Sequence, residues 1–183
     1  NIFEPRYLNM VADAMGSHRM FGMLQPDASR PDQPEAVYCT GCAGRITTYQ
    51  ETPDGRIELI LTGVCRFNIH QELAGTRGYR IVVPDWEPYR TDYVEPGMHS
   101  VEHRDRLIYL LKNYFNTTRL ETDWKTVMRI PPDRLVNTLT TLLPLSGLEK
   151  QAILEAVSPQ ERVDTLISAL EMQVHEPPAT PRH

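Results

Sequence analysis

The stretch DGRIELILTGVCRFNIHQE, residues 54–72, decides the fold that this chain is expected to adopt. Ile57, Leu59 and Leu61 place apolar side chains at every second position, which is the period of a strand with one buried face. The Asp-Gly pair that opens the stretch is a strong hairpin signal, because the tight turn needs a positive φ. Gly63 predicts a bend or bulge inside the run. The stretch therefore predicts the second arm of a long, bent hairpin.

Other short β-rich segments surround this hairpin. Turn-forming residues separate them, and a proline-rich surface loop is expected at residues 26–34. The further strands are expected at residues 19–25, 36–48, 67–73 and 79–86. Five or six strands with short connections are enough for a small closed or half-closed barrel.

One helix is expected before the strands. Pro5 suits its first turn, and Glu4 places a negative charge at its positive end. Apolar residues at helical spacing continue through residues 7–15, and Gly16 is a natural stop.

Helical patterns replace the β pattern after a change of composition near residues 89–97. Ser146 with Glu149, and Ser158 with Glu161, are capping-box pairs that predict the starts of the last two helices. The expected helices are residues 100–115, 121–128, 132–143, 148–156 and 160–174.

Composition limits the classes of function. The chain has 183 residues and a net charge of −5, which argues against a dedicated nucleic-acid binder. No run of about 18 apolar residues occurs, so we expect no membrane segment, and no signal peptide is recognisable. We therefore expect a cytoplasmic protein. The chain does not begin with Met, and we expect its first residue to lie inside a longer protein.

The cysteines and histidines do not form a convincing metal site. Cys39 and Cys42 make a CxxC pair, but residues three apart on a strand point to opposite faces. We expect buried or half-buried thiols, with a zinc or thiol-enzyme site as the open alternative. His99 and His103 are expected to be a solvated pair, since no third ligand is evident. The sequence also lacks a P-loop, a G-x-S-x-G elbow and H-E-x-x-H, so no cofactor is expected.

Several motifs, taken together and in order, resemble the N-terminal substrate-recognition domain of Lon ATP-dependent proteases. They are NIFEPRYLNMV (1–11), FGMLQP (21–26), GCAGRIT (41–47), LTGVCRFNI (61–69) and LEKQAILEAVSPQERVDTLISALE (148–171). The resemblance implies an α+β fold with a PUA-like small β-barrel and one early helix, followed by an α-helical C-terminal subdomain. A similar domain occurs in cereblon. The implied organisation is a barrel part at residues 1–90, a helical subdomain at 91–176 and a disordered tail at 177–183.

The same resemblance implies recognition without hydrolysis, because the ATPase and Ser-Lys peptidase motifs of the full protease do not occur in this sequence. It implies a protein-binding module for unfolded or specific protein partners, linked to proteolysis. The apolar residues that we consider for a binding groove are Phe3, Tyr7, Phe21 and Met23. The alternative is that each of the four is a core residue, and for any one of them taken alone this is the interpretation that we favour.

Two other functions stay open at this point. PUA-like barrels also occur in RNA-associated proteins, although the acidic balance weighs against RNA. An enzyme with a thiol or zinc site at the CxxC pair is the third alternative. The partner and the oligomeric state do not follow from the sequence.

Overall fold

The computed structural model of this protein describes residues 1–33, 35–93, 101–118 and 121–175. Its packing divides the chain into two compact units, Asn1–Val94 and Glu95–His183. The first unit contains helix α1 (Pro5–Met15) and a 3₁₀ helix (Glu87–Tyr93). Its strands are β1 (Met20–Pro26), β2 (Val37–Glu51), β3 (Ile57–Leu73) and β4 (Ile81–Asp85).

The strands form one curled antiparallel sheet in the order β1-β2-β3-β4, a half-barrel. The α+β class is thereby confirmed. The expected five or six strands are wrong for the described residues, which contain four. The reason is that β3 runs through its bulge as one 17-residue strand, and the second strand runs on to Glu51.

The predicted hairpin and bulge are both confirmed. Gly55 has a φ of +79°, the positive value that the Asp-Gly turn requires. The register shifts where Ala43 faces Cys65 and Gly44 faces Gly63, so that one extra residue of β3 bulges out. The bulge lets a long strand bend without losing its partner.

Helix α1 covers one face of the sheet and makes the first hydrophobic core. Pro5 occupies its first turn and Gly16 its C-cap, as the sequence predicts. Val11 and Ala14 are buried against Ile46 of β2. This core forms because the apolar stripe of α1 faces the apolar side chains on one side of the sheet.

A second packing layer depends on small residues. The ring of Phe67 is 2% exposed and lies against Gly22 and Gly41, where a Cβ atom would come within 2.8 and 3.2 Å of Cζ. Trp86 packs edge-on against the same ring, with centroids 5.5 Å apart. The two glycines therefore let an aromatic side chain pack directly on the backbone of β1 and β2.

A buried ion pair holds the 3₁₀ helix against β3. Arg66 donates from Nε and Nη2 to the Asp92 carboxylate at 2.9 and 2.7 Å, and its backbone N–H donates to the same group at 3.0 Å. The guanidinium lies 4.3 Å from the ring centroid of Tyr89, which is also buried. Burying a charge is costly, so both partners of this pair are needed.

The second unit is helical. It contains α2 (Val101–Thr118), α3 (Trp124–Val127), α4 (Pro132–Leu142), α5 (Gly147–Glu155) and α6 (Pro159–His175). Their shared core includes Leu107, Leu111, Leu135, Leu166 and Leu170.

Both predicted capping boxes are confirmed. The side chain of Ser146 accepts from the Glu149 N–H at 3.2 Å, while Glu149 accepts from the Ser146 N–H at 2.6 Å. Ser158 and Glu161 make the equivalent pair of bonds at 3.1 and 3.0 Å. The helices match the predicted segments apart from their ends, and α3 is shorter than expected.

Some sequence predictions fall outside the described residues. These are the segment at 94–100, which contains His99, and the tail at 177–183. Among the helices of the described ranges, none combines the length and the apolar character that crossing a membrane requires.

Replacing Asp92 by Ala should lower the free energy of unfolding by about 3 kcal/mol, because it leaves the Arg66 guanidinium buried without its carboxylate. Urea unfolding followed by far-UV circular dichroism measures the change. Glu87→Gln is the matched control, since it breaks the exposed ion pair with Arg90 in the same 3₁₀ helix. Equal unfolding midpoints for the two variants would contradict a supporting role for the buried pair.

Candidate functional site

An open, polar cleft lies in the first unit. Its volume is about 610 Å³, and it is bordered by the start of α1, the β1–β2 connection and the β3–β4 turn. The lining residues on which the argument below depends are Arg6, Tyr7, Glu72, Leu73, Tyr79 and Arg80. An open cleft of mixed polarity suits a polypeptide better than a small apolar ligand, which is normally enclosed.

Polar contacts between α1 and the β3–β4 turn hold one wall of the cleft. Asp13 of α1 accepts a 2.6 Å hydrogen bond from the Tyr79 hydroxyl and forms an ion pair with Arg77. Asn9, one turn earlier, donates to the Arg77 carbonyl at 3.3 Å. The hydrogen bond to the Asp13 carboxylate raises the pKa of the Tyr79 hydroxyl, since deprotonation would place two negative charges together.

The charges around the cleft are largely paired. Arg80 donates to the Glu72 carboxylate at 2.8 Å and also to the Glu35 carbonyl. Arg6 pairs with Glu4 at 2.9 Å, and its guanidinium lies 4.7 Å from the ring centroid of Tyr7. The cleft therefore offers polar groups and aromatic faces without a strong net charge.

The structure places the four candidate groove residues in different environments. Tyr7 lines the cleft and is half-buried. Phe21 packs against the core under α1. Phe3 and Met23 are 64% and 55% exposed. A role in binding stays a prediction for all four, and only Phe21 has a packing role that explains its apolar character.

The sequence did not identify the charged part of this site. Arg77 and Arg80 fix the β3–β4 turn to α1 and to the β1–β2 connection. The signal was the Arg-x-Tyr-Arg cluster in a turn, RGYR at residues 77–80. It could have been noticed, but its partners Asp13 and Glu35 lie far away in the sequence.

Exposed apolar residues also occur beside the cleft. Leu73 at the end of β3 faces Ile81 across the strand pair, and Val83 lies two residues further along β4. All three are among the exposed large apolar side chains, and Leu73 also lines the cleft. These three side chains add apolar contact area beside the polar cleft.

The cysteines show no arrangement for metal binding. Cys42 is half-buried, as expected, and Cys65 is buried. The expectation is wrong for Cys39, which is exposed near the start of β2. Burial raises the pKa of the Cys42 and Cys65 thiols, which disfavours the reactive thiolate. Within the described ranges no three His, Cys, Asp or Glu side chains are grouped to hold a metal ion.

Comparisons with known proteins point to one family, and the matches extend over most of the chain. A family model described as the ATP-dependent protease La (LON) substrate-binding domain matches residues 1–172. The Lon protease of Heliobacterium modesticaldum is 29% identical over 186 residues, which cover 96% of this chain and 22% of that protein. The Lon protease of Brevibacillus choshinensis is 29% identical over 150 residues, with coverage of 80% and 18%. The chain thus spans about a fifth of the length of these relatives.

Two solved structures share the fold. A Lon N-terminal domain protein from Xanthomonas campestris has a TM-score of 0.66 and 21% identity, covering 91% of this chain and 85% of the other. The N-terminal domain of the Mycobacterium avium complex Lon protease has a TM-score of 0.64 and 17% identity, with coverage of 93% and 88%.

Tyr79→Phe should lower the free energy of unfolding at neutral pH. As the pH becomes alkaline, the free energy of unfolding should fall less for the variant than for the wild type. The pKa of Tyr79 is higher in the folded protein than in the unfolded chain, where it is near 10. The hydrogen bond to Asp13 therefore stabilises the folded state fully below the pKa of the unfolded chain, and this stabilisation is lost as the pH rises through the pKa of the folded protein. Urea unfolding at pH 8 and pH 11 measures this. The difference in free energy of unfolding between wild type and variant should narrow at pH 11. A difference that does not change with pH would contradict the raised pKa, and no difference at pH 8 would show that the hydroxyl does not stabilise α1 against the turn.

Proposed function

We propose that this chain, which belongs to the family of ATP-dependent protease La (LON) substrate-binding domains, is a non-catalytic module that binds protein. The observation that carries the proposal is the match to that family over residues 1–172. The matches cover the substrate-binding domain and not the catalytic domains of the relatives. Recognition without hydrolysis is therefore the simplest role for this part of the chain.

The ligand that we favour is an unfolded or otherwise extended polypeptide. Phe3 and Met23 offer exposed apolar surface, and Met side chains adapt to partners of varied shape. The cleft adds hydrogen-bonding groups and the ring of Tyr7. Its paired charges and the net charge of −5 give no attraction for phosphate, which favours protein over RNA as the ligand.

A link to proteolysis is part of the proposal. The curated relatives are Lon proteases, of which this chain matches about a fifth. We infer that binding by this module selects polypeptides for degradation by a catalytic domain or a protease partner. A cytoplasmic location stays a prediction.

The double variant Phe3→Ser/Met23→Ser should weaken binding of an unfolded polypeptide by about tenfold, because it removes the two most exposed of the four candidate groove residues. The probe is fluorescently labelled, reduced and carboxymethylated lactalbumin, and fluorescence anisotropy reports its binding. Circular dichroism should show an unchanged fold.

The matched control is Leu142→Ser, which removes a 75% exposed apolar side chain in the helical unit. It should bind the probe as the wild type does. Equal weakening in the control would mean that any exposed apolar surface captures the probe, without a specific surface. If the wild type does not bind the probe at all, general capture of unfolded chains is wrong, and one specific protein partner becomes the hypothesis.

Phe21→Ser should destabilise the first unit by about 2 kcal/mol, because its half-buried ring packs against the α1 core. Thermal unfolding and binding of the same lactalbumin probe are measured together. Loss of binding should follow loss of folding for this variant. Lost binding with unchanged unfolding would instead place Phe21 in the binding surface.

A further inference from the structure

One carboxylate in the wall of the cleft has no partner. Arg80 pairs with Glu72 at 2.8 Å and Arg6 pairs with Glu4 at 2.9 Å, so each guanidinium group that lines the cleft already has a carboxylate. The side chain of Glu35 also borders the cleft, but it makes no hydrogen bond and no ion pair within the described part of the chain. Because Glu35 is exposed, its uncompensated negative charge is accessible to a ligand.

The main chain around Glu35 is fixed, although its side chain is free. Arg80 donates a hydrogen bond to the Glu35 carbonyl. The next residue, Ala36, donates its N–H to the Gln33 carbonyl and accepts from the Asp27 N–H, both at 2.8 Å. A ligand that binds the Glu35 carboxylate therefore has to order one side chain and not the whole connection between β1 and β2, which keeps the entropic cost small.

The connection between β1 and β2 adds further negative charge to this wall of the cleft. Residues 27–36 contain three carboxylates and one cation, Arg30, which leaves a net charge of −2. Arg30 pairs with Asp27 at 3.1 Å. Asp32 is exposed and, like Glu35, has no partner in the described ranges. This side of the cleft therefore attracts cations and repels anions.

Apolar surface borders the same cleft. Leu73 lines it, and Ile81 faces Leu73 across the strand pair. Both side chains are exposed. A ligand that complements this arrangement combines a cationic group with apolar groups, and a polypeptide segment supplies both from neighbouring side chains.

We propose that the cleft prefers polypeptide segments in which an arginine or lysine lies next to apolar residues, with the cation paired to Glu35. This inference rests on the proposed function and names the class of segment that the same site selects. Arginine fits best, because its planar guanidinium can donate two parallel hydrogen bonds to one carboxylate. Acidic segments are disfavoured, since they would place another carboxylate beside Glu35 and Glu72.

Two matched peptides and one variant of the whole chain test the pairing. The probes are fluorescein-labelled Gly-Ser-Leu-Val-Arg-Leu-Val-Ser-Gly and the same peptide with citrulline, a neutral isostere, in place of arginine. Fluorescence anisotropy should show that the wild type binds the arginine peptide about three- to fivefold more tightly, the range expected for an exposed ion pair. Glu35→Gln should remove that difference and leave the affinity for the citrulline peptide unchanged.

The matched control is Glu58→Gln. Glu58 is an exposed glutamate of β3 that has no partner among the described residues and does not line the cleft. This variant changes the net charge of the protein by the same amount as Glu35→Gln and should keep the preference for arginine. Higher salt should reduce the preference of the wild type, because dissolved ions screen exposed charges.

The outcomes separate this proposal from the proposed function. If carboxymethylated lactalbumin binds but the two peptides bind alike, or if neither peptide binds, the preference for a cation is wrong and the protein-binding function stands. If Glu35→Gln keeps the preference, or Glu58→Gln also loses it, the overall negative charge attracts arginine without the cleft, and the proposal is overturned. If neither lactalbumin nor the peptides bind, both proposals fail together.

NMR chemical shifts give an independent test of where the peptide binds. The arginine peptide should shift the amide signals of residues 35–37, 72–73 and 78–80, which line the cleft. The amides of residues 57–59, at the other end of β3, should not shift. Shifts confined to residues outside the cleft would overturn the assignment of the cation to Glu35.

Discussion

The attachment of α1 to both ends of the curled sheet is the constraint on which the first unit depends. On one side, Val11 and Ala14 bury apolar surface against β2 and the start of β3. On the other side, Asp13 binds Tyr79 and Arg77 in the β3–β4 turn. A helix held from two sides keeps the sheet curved, because the turn can approach α1 only if the strands bend toward it. The cleft is the space that this curvature leaves at the strand ends.

The edge of the sheet depends on a different constraint, the packing of Phe67 on glycine. A side chain at Gly22 or Gly41 would collide with the ring or with the neighbouring strand. The glycines therefore allow β1 to lie close over a large aromatic residue, which fixes the strand without using its outer edge.

The local features of the fold were predictable from the sequence, whereas the site was not. The Asp-Gly turn, Pro5 in the first turn of α1 and the Ser-Glu capping boxes depend on neighbouring residues, so short patterns reveal them. The strand number was wrong because the unbroken pairing through the Gly63 bulge depends on β2, far along the chain. The contacts of the cleft join residues up to 68 positions apart. Phe21 and Met23 lie two residues apart on the same predicted strand, so the sequence does not distinguish them. Only the position of α1 makes Phe21 a core residue, while Met23 is exposed.

The affinity of the proposed module for an unfolded chain depends on two opposing free-energy contributions of similar size, the favourable contacts and the cost of ordering the ligand. Each hydrogen bond to a ligand contributes about 0.5–1.5 kcal/mol, so several of them with some apolar contact amount to a few kcal/mol. Ordering a flexible segment costs about 2–5 kcal/mol, so a single site holds an unfolded chain weakly. The balance also has a functional consequence. A module that delivers polypeptides must release them, and tight binding through side-chain pockets would restrict both sequence range and release. Weak recognition meets both needs, and repeated contacts along one long ligand can raise the overall affinity without any new surface.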